Sequence, residues 1–306
     1  MPFTAQDVRA LREKTNVGMM DCKKALAATD GDFEKAIEYL REKGLAAAAK
    51  KASRIAAEGM VATYVCDSCG VASIVEVNSE TDFVAKNADF QKFVSDIAVV
   101  VAKENPADLD ALSQCKFTDS DRTVAEMLQE KVLTIGENIK IRRFARFDGE
   151  TVNVAYTHMG GVIGVLVGMQ VSDSIKDKPE VITLGKDIGM QAAAMRPQWL
   201  NKEEVPEATL AKEKEILMVQ TMNEGKPEKV AEKIVMGRLG KFYQENCLTE
   251  QAFVKENKIS VAKHIEAVAK ELGGEIKLVR FVRFEKGEGL EKREDNFAEE
   301  VASMAK

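Results

Sequence analysis

The sequence predicts an α+β fold built around a duplicated core, on three observations. IKIRRFARF from Ile139 and IKLVRFVRF from Ile276 align over nine residues, and self-similarity of this kind marks two copies of one structural unit. Ahead of each strand lies a helix-patterned stretch closed by glycine, and further ahead two alternating apolar runs joined by a glycine-bearing turn. The chain has 306 residues with 45% apolar content, long for one hydrophobic core and enough for two or three.

The N-terminal segment reads as a compact three-helix bundle. Val8, Ala10 and Leu11 fit a short helix, NVGMM reads as a turn, and Cys22, Ala25 and Leu26 mark a second helix. Asp30-Gly31-Asp32 stops that helix and caps a third, which carries Phe33, Ile37 and Leu40 and ends at Lys43-Gly44. Met19 and Met20, in the turn, either finish the small core or offer flexible thioethers to a partner. The Ala- and Lys-rich stretch GLAAAAKKASRIAAEG then reads as a helical linker.

Each copy of the core reads ββααβ. The first opens with MVATYV and VASIVEV around CDSCG, and its last helix carries Val124, Leu128 and Ile135 before Gly136. The second opens with VNVAYT and VIGVLVGM around HMGG, and its last helix carries Val261, Ile265, Val268 and Leu272 before Gly273. Strand alternation puts Ile139, Ile141, Ala145 and Phe147 on one face, with Ile276, Leu278, Val282 and Phe284 as their counterparts. The second copy is interrupted from Glu207 to Phe242 by two polar helices around Gly225-Lys226-Pro227, a projecting antiparallel coiled-coil hairpin. Leu210 and Leu217 on one arm and Val230 and Ile234 on the other form its narrow seam, and arms of roughly 18 residues reach about 27 Å. The predicted division is 1–44 for the bundle, 45–58 for the linker, 59–148 and 149–285 for the core subdomains, with the insertion at about 205–243, and 286–306 for a C-terminal helical module.

Composition excludes several classes of function. No apolar run approaches the roughly 18 residues of a membrane span, and MPFTAQDV lacks the plan of a signal peptide, so a cytoplasmic protein is expected. With 50 acidic and 44 basic residues there is no general attraction to phosphate backbones, and no direct nucleic-acid contact is predicted. Five scattered cysteines read as thiols rather than a disulfide framework.

One stretch, SETDFVAKNADF from Ser79, places a carboxylate and a large aromatic together at the entrance to what reads as one long helix. Asp82 has a structural reading, a charge in a first helical turn with Ser79 at capping-box distance. By helical angle Phe83 falls near the stripe of Phe90, Val94, Ile97 and Val101, yet it stands a full turn ahead of them. Core and surface roles both remain open for it. The second copy makes the same corner with VSDSIKDKPEV, which repeats the acidic residues without the aromatic.

TDFVAKNADF, LREKTNVGMMDCKKAL and IGENIKIRRFARF closely resemble the bacterial elongation factor Ts family, the guanine-nucleotide exchange factors of elongation factor Tu, and the resemblance spans essentially the whole chain. It implies that the bundle is of ubiquitin-associated type and that the protein is no enzyme and needs no cofactor or metal of its own. It also implies that Thr81, Asp82, Phe83 and Val84 enter the partner's GTPase domain beside its Mg²⁺ site. Arg12, Met19, Met20 and Lys23 are implied to touch the same domain, and His158 the partner's β-barrel region. A histidine at a glycine turn is also often merely solvated.

CDSCG departs from the family pattern, which has an ordinary turn there without paired cysteines. Zinc needs two further ligands, and the chain offers only two histidines and no second paired spacing. A redox role would favour a helix N-terminus rather than a hairpin turn. No GxxxxGK[ST] or HExxH motif is present, and Gly237-Arg238-Leu239-Gly240-Lys241 lies on the predicted coiled coil. A peptide-binding adaptor using the N-terminal bundle is the alternative function; it leaves the TDFV corner and the duplication without a role.

Overall fold

A computed structural model describes residues 3–15, 17–225 and 227–291. The expected C-terminal helix falls in 292–306, outside the described residues; 286–289 form a turn.

Three helices, α1 (Ala5–Thr15), α2 (Met19–Ala28) and α3 (Phe33–Lys51), enclose a small core of Val8, Leu11, Cys22, Ala25, Leu26, Ala36 and Leu40. Asp30 and Gly31 take positive φ to end α2, and the Asp32 carboxylate caps α3 through the Lys35 amide at 3.1 Å. Two expectations are corrected here. Met19 and Met20 are the first residues of α2 rather than part of the turn, and they project outward. The third helix does not stop at Gly44 but continues to Lys51. The alanine run that follows is the best helix-forming sequence available, and Gly44 is buried against Gln129 and Leu133.

The first copy comprises β1 (Glu58–Val65), β2 (Ala72–Ser79), α4 (Asp82–Ala85), α5 (Ala88–Glu104), α6 (Leu109–Gln114), α7 (Val124–Ile135) and β3 (Lys140–Phe147). The second comprises β4 (Val152–His158), β5 (Ile163–Val171), α8 (Pro179–Met195), the inserted α9 (Glu207–Asn223) and α10 (Glu228–Asn246), a small hairpin β6 (Ala252–Phe253) and β7 (Glu256–Ser260), α11 (Val261–Leu272) and β8 (Ile276–Glu285). The alternating apolar runs pair as antiparallel sheets β1-β2-β3 and β4-β5-β8. Gly136 and Gly273 end α7 and α11 in the left-handed conformation, as their positions imply.

The two sheets pack face to face around Val61, Ala72, Ile74, Phe147, Leu166 and Phe284. Helices cover the outer faces: α5 and α7 on Ala62, Val75 and Val77, and α8 and α11 on Val165, Val167 and Met169. β2 is therefore buried along its whole length. Gly164 sits against the facing sheet, and a Cβ there would fall 2.6 Å from Val61 Cγ1.

The repeated strands differ from simple alternation. β2 pairs Val77 with Ile141 and Glu76 with Arg143, leaving Arg142 as a bulge; β5 pairs Met169 with Leu278 and Gly168 with Arg280, leaving Val279 at the equivalent place. Ile139 and Ile141 therefore join the helix-covered core, while Ala145 and Phe147 enter the space between the sheets. Leu278 and Ile276 separate from Val282 and Phe284 in the same way. An extra residue reverses the facing of everything beyond it, so the single-face expectation fails identically in both copies.

Glu76, fully buried between the sheets, satisfies the bulge. It accepts from Arg142 Nη1 at 3.0 Å, Arg143 Nε at 2.6 Å, Asn78 Nδ2 at 3.1 Å and the Gly287 amide at 2.8 Å. The turn after β8 is thereby anchored in the first subdomain, where Gly287 has φ +66° and comes too close to the Ala57 carbonyl for any side chain.

α9 and α10 form the expected helical hairpin, about 25 and 28 Å long from their 17 and 19 residues. Its seam is Leu217 against Val235 and Leu239, flanked by Leu210, Met218 and Tyr243. The assignment on the second arm needs correction, since Val230 is 45% exposed and Ile234 only half-buried. The inward phase of α10 is set by Ala231, Val235 and Leu239, spaced four apart.

Candidate functional site

The TDFV corner is built by two carboxylates, each holding the other segment's backbone. Glu137, just after α7, accepts from the Glu80 and Thr81 amides at 3.0 Å each and from Thr81 Oγ1 at 2.6 Å. Glu80 in return accepts from the Asn138 amide at 2.6 Å, and Asn138 Nδ2 donates to the Arg54 carbonyl at 2.8 Å. Ser79 is the buried last residue of β2 and donates to the Thr81 carbonyl; the residue capping α4 is Thr81, not Ser79 as the spacing implied.

The expected long helix is two helices. α4 is a single turn, and Asn87 starts α5 afresh by accepting from the Asp89 and Phe90 amides at 2.9 and 3.1 Å. Phe90, Val94, Ile97 and Val101 are fully buried. Phe83 is cut off from their stripe by the break and is 81% exposed. Val84 turns inward onto the first core. Asp82 Oδ2 accepts from Lys86 Nζ at 2.6 Å, and this bond holds its carboxyl below the usual carboxylate range, helped by the positive charges of Lys86 and Lys286. The corner thus presents an ionised carboxylate and a bare aromatic ring on a braced backbone.

His158 ends β4 at the same end of the core. The Gly161 carbonyl in its turn accepts from the Val61 amide at 2.7 Å, and the Val162 carbonyl from the Lys286 amide at 2.9 Å. β1 begins opposite Ser79, so one strand end carries both the corner and the hairpin tip. His158 is exposed, with its Nδ1 3.0 Å from the Tyr156 hydroxyl. Beside it Met159, with φ +48°, is 73% exposed. Sequence reasoning passed over Met159, although a methionine at a glycine turn is itself a signal. It also passed over Glu80, Glu137 and Asn138, because no local pattern reveals a partner 57 residues away.

Arg12 on α1 and Met19, Met20 and Lys23 on α2 are all exposed, Met20 at 64%. The core-filling alternative for the two methionines therefore falls away. The bundle meets the core chiefly where α3 lies along α7, from the Arg41–Glu126 ion pair to Lys51 Nζ on the Val132 carbonyl. These four residues belong to the bundle, on α1 and α2, whereas the corner and the tip belong to the core. Among the described residues no helix is long and apolar enough to cross a membrane, and no group of three or more potential metal ligands gathers.

Large apolar side chains held out to solvent on two turns and a helix start, Phe83, Met159 and Met20 among them, gain burial only when another surface covers them. A family model described as elongation factor TS matches residues 80–288. Elongation factor Ts of Syntrophotalea carbinolica is 52% identical over the full length of both chains. That of Clostridium kluyveri is 53% identical over 98% of this chain and 97% of its own, and that of Clostridium perfringens 51% identical over 99% of each. The chain belongs to the elongation factor Ts family of translation elongation factors.

Proposed function

We propose that this chain binds elongation factor Tu carrying GDP and promotes GDP release by disturbing the Mg²⁺ and nucleotide site, so that GTP can reload. The observation that carries this reading is Phe83, 81% exposed on a corner clamped by Glu80 and Glu137. Ordering a loop on binding costs free energy; a corner already held by hydrogen bonds avoids most of that cost. Phe83 supplies apolar burial in the GTPase domain, and ionised Asp82 competes for groups that support the Mg²⁺ shell. That shell is octahedral and partly water, so a small shift of one supporting element breaks it. Thr81 and Val84 set the height of the turn, one on Glu137 and the other on the first core.

No bond need be made or broken by the exchange factor. By linkage, a protein that binds the nucleotide-free partner most tightly weakens GDP by the same factor by which GDP weakens it. Arg12, Met19, Met20 and Lys23 make a second contact on the GTPase domain. His158, beside Met159, makes a third toward the β-barrel region. The test is release of labelled GDP from purified elongation factor Tu with and without this protein. Acceleration at substoichiometric amounts is expected, and an unchanged release rate at saturation overturns the reading.

A further inference from the structure

The turn between β1 and β2 carries Cys66 and Cys69, for which the proposed exchange activity has no use. The Gly70 amide donates to the Cys66 carbonyl at 2.8 Å, and the Cys66 amide to the Val71 carbonyl at 2.8 Å. These bonds wind residues 66–70 into a single α-turn. Residues three apart in such a turn have Cβ atoms about 5–6 Å apart, and a disulfide needs about 3.5–4.5 Å. The remaining closure is small, and Gly70 has open space around it in which to adjust. Cys69 is exposed and Cys66 half-exposed, with its Sγ 3.3 Å from Ser68 Oγ.

We propose that Cys66 and Cys69 are a reversible dithiol–disulfide pair that exchanges with low-molecular-weight disulfides. The Cys66 thiolate attacks one sulfur of RSSR, forming the Cys66–S–S–R bond and expelling RS⁻. Cys69 gives its proton to solvent and attacks Cys66 Sγ, expelling the second RS⁻ and closing the ring. Two protein thiols lose two electrons, and one small disulfide becomes two thiols.

The rest of the molecule provides the contrast. Hydrogen bonds from Cys69 and Ser68 lower the Cys66 thiol to about 6. Burial raises the thiols of Cys22 and Cys115, and raises Cys247 to about 11. Turn donors thus do for Cys66 what a helix N-terminus does elsewhere. The equivalent hairpin of the second copy closes through Met159–Val162 without cysteine, so the pair is not needed to make the turn.

The test uses the full chain and oxidised glutathione, read by peptide mass spectrometry over a pH series. A thiol of pKa about 6 is about half thiolate at pH 6, where an ordinary one is about 0.3%; its weaker intrinsic nucleophilicity returns about a tenfold factor. Cys66 is expected to react about tenfold faster than an unperturbed thiol at pH 6 and about threefold slower at pH 8. The wild-type product is the internal disulfide, whereas Cys69→Ser stops at the glutathione adduct on Cys66. Circular dichroism melts of both proteins check that the hairpin is intact. A wild-type protein that accumulates the Cys66 adduct without closure, or a Cys66 rate that tracks the unperturbed thiol across the series, overturns the proposal.

Discussion

Replacing Phe83 by alanine separates a surface wedge from a core residue. A fully buried phenylalanine cut to alanine costs about 3–5 kcal/mol. Phe83 is 81% exposed, so about a fifth of that burial is at stake and the loss stays below about 1 kcal/mol. In a chain of this size each kcal/mol moves Tm by about 2–4 °C, giving a shift of a few degrees at most. Phe90→Ala, seven residues on and fully buried, is the internal control and should fall by roughly 10 °C. Binding behaves in the opposite way. As an interface hot spot Phe83 is worth about 2 kcal/mol, so Phe83→Ala should weaken the nucleotide-free complex about 30-fold and slow stimulated GDP release. The assay pairs a thermal melt with stopped-flow GDP release at several Mg²⁺ concentrations, alongside Asp82→Ala and the double variant. Because the two residues act at one place, their effects should not add. A Phe83→Ala melt as low as that of Phe90→Ala, with release per folded molecule unchanged, would refute the reasoning.

Glu137→Ala removes the acceptor of two backbone amides and a hydroxyl and should cost about 2 kcal/mol locally; hydrogen exchange at Thr81 should speed up and stimulated GDP release fall, with Phe83 itself untouched. Glu76→Ala takes from Arg142 and Arg143 the buried carboxylate they share at the bulge, leaving Arg143 its ion pair with Glu288, and should lower stability by about 3 kcal/mol, seen as an earlier urea midpoint with loss of Gly287 amide protection. His264, stacked on Phe253 at 4.0 Å, has its pKa lowered chiefly by burial. The unfolded chain then binds the proton first, so this contribution is complete above about pH 6.5 and is lost as pH falls from there toward the folded value. His264→Phe should flatten that part of the stability–pH curve, measured by denaturant titration between pH 5 and 7.5.

The duplication, the two hairpins, the glycine-ended helices and the inserted helical hairpin were all legible in the chain. Each rests on local chemistry: a period of two or 3.6, a positive φ that glycine satisfies, a proline that begins a helix. The TDFV corner was legible as a motif, through its resemblance to a family, but its exposure was not. Phe83 escapes the core because Asn87 caps a new helix and because Glu137 fixes the corner from 57 residues away. The facing of the repeated strands was misread for a related reason: a bulge at Arg142 or Val279 leaves no local mark, and in the first copy it is stabilised by Glu76 on the neighbouring strand. Met19, Met20 and Val230 follow the same rule, since helical phase restricts which way a side chain points but not what covers it. Periodicity along a chain specifies elements and their apolar faces, whereas burial and exposure depend on which distant surfaces and carboxylates meet them, and that is settled when the two sheets and their helices pack.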